Sequence, residues 1–253
     1  MIHIFHITHF TRIDRLMTSE IKTTLISTLP KDLCIDLDDR VRAEATKAFE
    51  MVRDHSGLDK RRGRALEGQA RFRMMEKGFQ EVCETHGGLI LENGIIPGSD
   101  LKVFQPFMRF GGSGQGVILG LAAISEPKAM PVKNKSRSAG VSLNYNITPR
   151  LDFDGLGAKP GDIFALFLIA RDRTRGGKIE EIAMGVIDSE YESFLYCEEL
   201  ASYMAGYNDE KDAIVSEDEE TAKIKKTGVR LKQAVKAFVP PETETEDDKK
   251  IEK

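Results

Sequence analysis

The chain has 253 residues, of which 40% are apolar and 31% charged, so it is long and apolar enough to bury a core. Its three cysteines are too far apart to form a zinc site or a disulfide framework. No apolar run reaches the roughly 20 residues of a membrane span, and no signal-peptide pattern opens the chain, which predicts a cytoplasmic protein without membrane contact. The net charge of -4 neither favours nor excludes nucleic acid.

The first third of the chain predicts an extension followed by two helices. Residues 1–35 show no clear periodicity, and Met17 is as good a starting methionine as Met1. From Asp38 the apolar residues recur at helical spacing until Gly57, and a second helical pattern runs from about residue 64 to 85. We therefore expect the folded domain to begin near residue 36.

The middle of the chain predicts strands. Short apolar or alternating segments occupy residues 89–91 and 100–110, and residues 117–124 are almost wholly apolar, as in a buried strand. The glycine cluster at 111–116 has no lysine in the phosphate-binding position and precedes a strand. It is therefore predicted to be a hairpin turn.

Two further apolar segments, residues 162–170 and 179–187, predict a hairpin at the centre of the sheet. Ser189 and Glu192 match a capping box, which predicts a helix ending near Gly206. After this helix the chain carries acidic runs and little apolar material. The sequence thus predicts one α/β domain over residues 36–207, with a mixed central sheet flanked by helices, and a charged, mostly disordered tail over 208–253.

Residues 64–128 contain a more specific pattern. A helix is followed by a short strand and two strands joined by a glycine turn, with Pro97-Gly98-Ser99-Asp100 before the second strand and Glu126-Pro127-Lys128 after the third. This arrangement resembles the α-β-β-β opening of the PD-(D/E)XK nucleases. The resemblance implies a restriction-endonuclease-like fold.

The resemblance also implies a catalytic site. Asp100 and Glu126 would bind Mg²⁺, with Glu67 on the preceding helix as a further ligand, and Lys128 would position the attacking water. Carboxylates that hold Mg²⁺ stabilise the attacking and leaving oxygens of a phosphodiester, and a lysine close to the metal orients or deprotonates the water. The implied function is a metal-dependent DNA endonuclease, for which a homodimer would suit cleavage of both strands. On the residues alone, 125–128 also fit a plain polar turn.

Positive charge is clustered in two segments. Residues 128–150 contain no acidic residue, and a second basic cluster leads into the second helix. Such clusters contact phosphates in nucleic-acid-binding proteins. The predicted nucleic-acid contacts are Arg62, Arg64, Lys133, Lys135, Arg137 and Arg150.

The sequence leaves three functions open. The first is the endonuclease acting on DNA. The second is a non-catalytic nucleic-acid-binding or protein-interaction module, in which the same basic segments bind without cleavage. The third is a structural or regulatory protein that contacts no nucleic acid.

Overall fold

A mixed six-stranded sheet forms the centre of the protein in a computed structural model. The structure describes residues 17–91, 94–96, 101–148 and 161–208, all within the unit Met1–Ala213. The helices are α1 (17–28), α2 (Lys31–His55), α3 (Lys60–Thr85), α4 (Lys135–Val141), a 3-10 helix (Ser142–Asn146) and α5 (200–208). The strands are β1 (Leu89–Ile90), β2 (Met108–Phe110), β3 (Val117–Ile124), β4 (Ile163–Arg171), β5 (Ile179–Ile187) and β6 (Phe194–Glu199).

Helices α2 and α3 pack against each other, and local signals set their ends. Gly57 follows α2 with a φ of 63°, a left-handed conformation that glycine adopts without strain and that ends a helix. The Asp59 carboxylate caps α3 by accepting the backbone N–H groups of Arg61 and Arg62, both at 2.9 Å. This cap fixes the point at which α3, with its basic first turn, begins.

The strands lie in the order β1 to β6, and every neighbouring pair is antiparallel except β3 and β4. These two run parallel in register from Val117 opposite Ile163 to Ile124 opposite Ala170. A parallel pair requires a crossover connection, which here includes α4 and the 3-10 helix. The carboxyl ends of β3 and β4 therefore meet at one edge of the sheet.

Both faces of the sheet are covered. On one face Leu119 and Phe167 pack with the apolar residues of α1, α2, α3 and α5. On the other face Ile118 and Phe164 pack with Ala139 and its neighbours in α4. Burial on both sides explains why β3 and β4 are continuous apolar runs rather than alternating ones. The predicted α/β class and the mixed sheet flanked by helices are confirmed.

The glycine-rich segment is the predicted hairpin turn, since it joins the antiparallel strands β2 and β3. Its carbonyl groups face a cation: the Arg109 guanidinium donates to the carbonyls of Gly111, Gly112 and Gly114 at 2.9 to 3.1 Å. Arg109 also donates to both carboxylate oxygens of Asp162 at 2.7 and 3.0 Å. Carbonyl oxygens turned toward a guanidinium leave this turn without a phosphate-binding nest.

The predicted helix after Ser189 is wrong over its first half. Residues 194–199 form β6, antiparallel to β5, and only residues 200–208 are helical. The free backbone edge of β5 supplies the pairing that overrides the local helix signal.

The expected capping box is replaced by a turn built on Asp188. The Asp188 carboxylate accepts hydrogen bonds from the backbone N–H groups of Glu190, Glu192 and Ser193, and from the Ser193 hydroxyl. Burial by itself raises the pKa of Asp188, but these hydrogen bonds outweigh it, so the pKa is lowered. The turn carries the chain from β5 directly back into β6.

The structure also differs from the predicted elements nearer the N-terminus. Residues 17–28 are helical, with Leu25 in the core, and α2 begins at Lys31 rather than at Asp38. The strand expected over residues 100–110 is reduced to β2, because Pro106 has no N–H for a ladder and the Phe104 N–H donates instead to the Ser136 hydroxyl at 2.9 Å.

Candidate functional site

A cleft of about 580 Å³ lies where α3 begins and β4 ends. This is the sheet edge at which β3 and β4 present their carboxyl ends, a common position for ligands in open α/β sheets. Its lining includes Glu67, Asp59 and Asp172 as acidic residues, and the basic residues Arg53, Lys60, Arg64, Arg71, Arg171 and Arg173. We call it the basic cleft.

Two of the three acids are engaged elsewhere. Asp59 caps α3 and forms an ion pair with Arg62 at 2.5 Å. Hydrogen bonds from Thr174 and Arg175 hold the pKa of Asp172 well below its usual range, with the Arg175 guanidinium at 2.5 Å. Neither carboxylate is left to balance the arginines at the centre of the cleft.

Glu67 is the remaining carboxylate, and it forms an ion pair within the cleft. It lies 3.6 Å from the guanidinium of Arg71, whose side chain is 13% exposed. Burial lowers the pKa of Arg71, Glu67 opposes this effect, and the positive charge of Arg171 lowers the pKa further. Arginine stays protonated in proteins. The charge of Arg171, an exposed residue, thus repels the largely buried guanidinium of Arg71, and a bound anion would relieve this repulsion.

The ends of β3 and β4 are joined by Arg173. Its guanidinium donates to the carbonyl of Ser125 at 3.2 and 2.9 Å and lies 4.0 Å from the Glu126 carboxylate. Both side chains are more than half exposed. Glu126 is therefore outside the lining of the basic cleft but beside Arg173, which belongs to it.

Lys128 has different surroundings from Glu126. It adopts a left-handed backbone with a φ of 62°, and its positive charge acts on Cys197 of β6. Burial raises the pKa of Cys197, Glu181 raises it further, and Lys128 lowers it. Within the described residues, Glu126 and Lys128 do not form an ion pair with each other. The structure places Glu67 in the basic cleft and Glu126 beside Arg173, while Lys128 lies near Cys197.

No protein-family model, curated protein or solved structure matches this chain. Across residues 17–91, 94–96, 101–148 and 161–208, no three His, Cys, Asp or Glu side chains form a group that could hold a metal ion. Asp100 and Arg150, two of the predicted site residues, lie outside these ranges.

The other predicted basic residues are scattered. Arg62 is exposed at the start of α3, and Arg64 lines the basic cleft. Lys133 lies 5.5 Å from the ring centroid of Tyr191, Lys135 is exposed, and Arg137 is buried, with its pKa lowered by burial.

None of the helices in the described part of the chain has both the length and the apolar character of a membrane span.

Sequence reasoning did not single out Arg53 at the end of α2, or Arg171 and Arg173 at the end of β4, as residues of the cleft. A signal for the latter two exists in the sequence: Arg171-Asp172-Arg173 directly follows a long apolar strand, where a buried strand emerges at the surface. Its meaning depends on the start of α3 lying opposite, about a hundred residues earlier in the chain.

Proposed function

We propose that this chain binds the phosphate backbone of a nucleic acid in the basic cleft and is a metal-dependent endonuclease acting on DNA. The observation that carries the proposal is the set of arginines, Arg64, Arg71, Arg171 and Arg173, with Glu67 as the one carboxylate not engaged outside the cleft among its described lining. Guanidinium groups bind phosphate through paired hydrogen bonds. The position at the carboxyl ends of a parallel pair supports the same reading.

Two features support the cleavage step. Glu67 lines the basic cleft, and Glu126 lies 4.0 Å from Arg173, another residue of that lining. The order α3, β1, β2, β3 is the α-β-β-β order of the resembled family. Carboxylate oxygens are the ligands that Mg²⁺ prefers, and bound Mg²⁺ would stabilise the charge that develops on the phosphate. The proposal assigns Asp100 as the third ligand and Lys128 to the water.

Salt-dependent DNA binding tests the phosphate contacts. Each phosphate contact on duplex DNA contributes about 0.9 to the slope of log K against log salt. We expect Arg64→Ala and Arg171→Ala each to reduce the magnitude of that slope by about 1, measured by fluorescence anisotropy of a labelled duplex. Lys77→Ala is the matched control, since it removes an exposed charge from α3 outside the cleft. Equal slopes for all three variants would refute binding in the cleft.

Plasmid nicking tests the cleavage step. We expect cleavage in Mg²⁺ or Mn²⁺ that is lost in Asp100→Ala, Glu126→Ala and Lys128→Ala, and retained in Glu190→Ala, which changes an exposed acid in the β5–β6 turn. Salt-sensitive binding without cleavage would favour the second candidate, a non-catalytic nucleic-acid-binding module. The arginines of the cleft favour that candidate independently of any metal.

We further propose that the protein acts in the cytoplasm. We also propose that it is a homodimer, because a duplex offers two strands to cut. Light scattering coupled to gel filtration would measure the dimer mass directly. A monomer that still nicks plasmid would overturn this part alone.

A further inference from the structure

A second cleft, of about 760 Å³, lies between α3, the segment before β2 and the start of α4. Its volume falls within the roughly 300 to 1,000 Å³ of small-molecule sites. Aromatic rings, amides and one carboxylate contribute most of its lining: Gln69, Phe72, Glu76, Phe104, Gln105 and Asn134. We call it the aromatic cleft.

The ring of Phe104 is unusually open to solvent. The residue is 76% exposed, whereas apolar rings are generally buried. Its backbone is held in place, because the Phe104 N–H donates to the Ser136 hydroxyl at 2.9 Å. An anchored, exposed aromatic ring on the wall of a cleft provides a stacking surface for a planar ligand.

Glu76 contributes a buried carboxylate that is only half satisfied. The residue is 8% exposed, and one oxygen accepts a hydrogen bond from Arg73 at 2.9 Å. The other oxygen, Oε1, is buried and has no hydrogen-bond partner among the described residues. A buried acceptor without a donor is unfavourable. Glu76 lines the cleft, so a ligand N–H group that reaches Oε1 would supply the missing donor.

The amides add further hydrogen-bonding groups. The Asn134 side-chain amide donates to the side-chain oxygen Oε1 of Gln105 at 3.3 Å, and its Oδ1 accepts the backbone N–H of Arg137 at 2.8 Å. Gln105 and Gln69, the latter an exposed residue of α3, thus add two further side-chain amides to the lining of the cleft. These groups suit the ring nitrogens and carbonyls of a heteroaromatic ligand.

We propose that the aromatic cleft binds one nucleobase that carries an exocyclic amine, stacked on Phe104 and donating to Glu76. Cytosine, adenine and guanine have such an amine, whereas uracil and thymine present a carbonyl at the equivalent position. Unpaired bases are commonly recognised by an aromatic face and by hydrogen bonds to the base edge. The proposal rests on the proposed nucleic-acid binding only for the source of the base.

Tryptophan fluorescence provides the test. The chain contains no Trp, so Phe104→Trp places a single indole on the cleft wall and keeps an aromatic face. The full-length variant is titrated with cytidine and adenosine, and with uridine as the nucleoside without an amine. We expect saturable quenching by cytidine and adenosine, with at least tenfold weaker binding of uridine. No saturable quenching, or equal affinities for cytidine and uridine, would overturn the proposal.

Glu76→Gln in the same background tests the carboxylate. We expect the preference for cytidine over uridine to fall below about twofold, while Glu84→Gln, an exposed acid near the end of α3, retains it. Gln69→Ala provides a second variant on the cleft wall, and we expect it to weaken cytidine binding severalfold. Preference retained in Glu76→Gln, or cytidine affinity unchanged in Gln69→Ala, would overturn the proposal.

The two clefts are tested separately. Nucleosides carry no phosphate, so their binding does not depend on the arginines of the basic cleft. Failure of nucleoside binding would leave the salt dependence of DNA binding intact. Loss of that salt dependence would leave nucleoside binding intact.

Discussion

Asn144 connects the crossover between β3 and β4 to the sheet through three buried hydrogen bonds. Its side-chain amide donates to the carbonyls of Phe164 at 2.9 Å and Ile187 at 2.7 Å, and its side-chain oxygen accepts the Phe164 N–H at 2.8 Å. Leu166 pairs with Gly185, so two more residues of the same register would place Phe164 opposite Ile187. The Asn144 side-chain amide lies at that position and forms hydrogen bonds with the backbone groups of Phe164 and Ile187. We predict that Asn144→Ala strongly destabilises the fold.

The magnitude follows from the groups left without partners. Asn144 is fully buried, so its truncation exposes none of the three backbone groups to bulk solvent. A buried polar group without a partner costs about 1 to 3 kcal/mol, and local relaxation recovers part of this. We expect the free energy of unfolding to fall by about 3 to 5 kcal/mol, a large part of the roughly 5 to 15 kcal/mol typical of domains.

Urea unfolding followed by circular dichroism measures this loss of unfolding free energy, provided that the slope of free energy against urea concentration is the same for both proteins. Asn146→Ala is the control, since Asn146 is exposed in the same 3-10 helix and should change stability by less than about 0.5 kcal/mol. Hydrogen exchange of the Phe164 backbone N–H should be faster in Asn144→Ala but not in Asn146→Ala. A loss below about 1 kcal/mol would refute the assignment of these hydrogen bonds as stabilising.

Three further predictions concern other buried groups. The pKa of Asp188 is lowered in the fold, so the stabilisation that its carboxylate provides is present above the unfolded pKa near 3.9 and is lost as the pH falls through the folded pKa. The difference in unfolding free energy between the unchanged protein and Asp188→Asn should therefore shrink below about pH 4. Burial raises the pKa of Cys34 to about 11 and also raises that of Cys83, so a thiol reagent should modify Cys197 first and all three only in denaturant. In Gly140→Ala the new methyl group would lie 2.5 Å from the ring of Phe164, and thermal unfolding should show that the free energy of unfolding falls by about 1 to 3 kcal/mol.

Local sequence pattern was sufficient for most of the elements. The apolar runs at 117–124 and 179–187 match β3 and β5, and the glycine cluster between β2 and β3 is the expected hairpin turn. These predictions hold because burial on both faces demands uninterrupted apolar residues, a signal contained within each strand. The helical spacing of α2 and α3 is local in the same way.

Pairing across the fold decided the remaining elements. Residues 194–199 carry a helix-start signal, yet they form β6 because β5 offers an open edge. Residues 101–107 alternate like a strand, yet Pro106 and the contact of Phe104 with Ser136 take them out of the sheet. Neither the free edge nor the hydroxyl partner is visible in the local sequence, so local propensity gives way to tertiary contacts.

The candidate sites show the same division. The sequence by itself determined the residue types: the basic run entering α3 is evident from the charge pattern, and the resemblance to the nuclease family pointed to Glu67 and Glu126. Only the tertiary structure decided which of them meet: α3 brings Arg64 and Glu67 beside Arg171 at the end of β4. The physical reason is that the packing of α3 and the parallel pairing of β3 with β4 together gather segments far apart in sequence at one edge of the sheet.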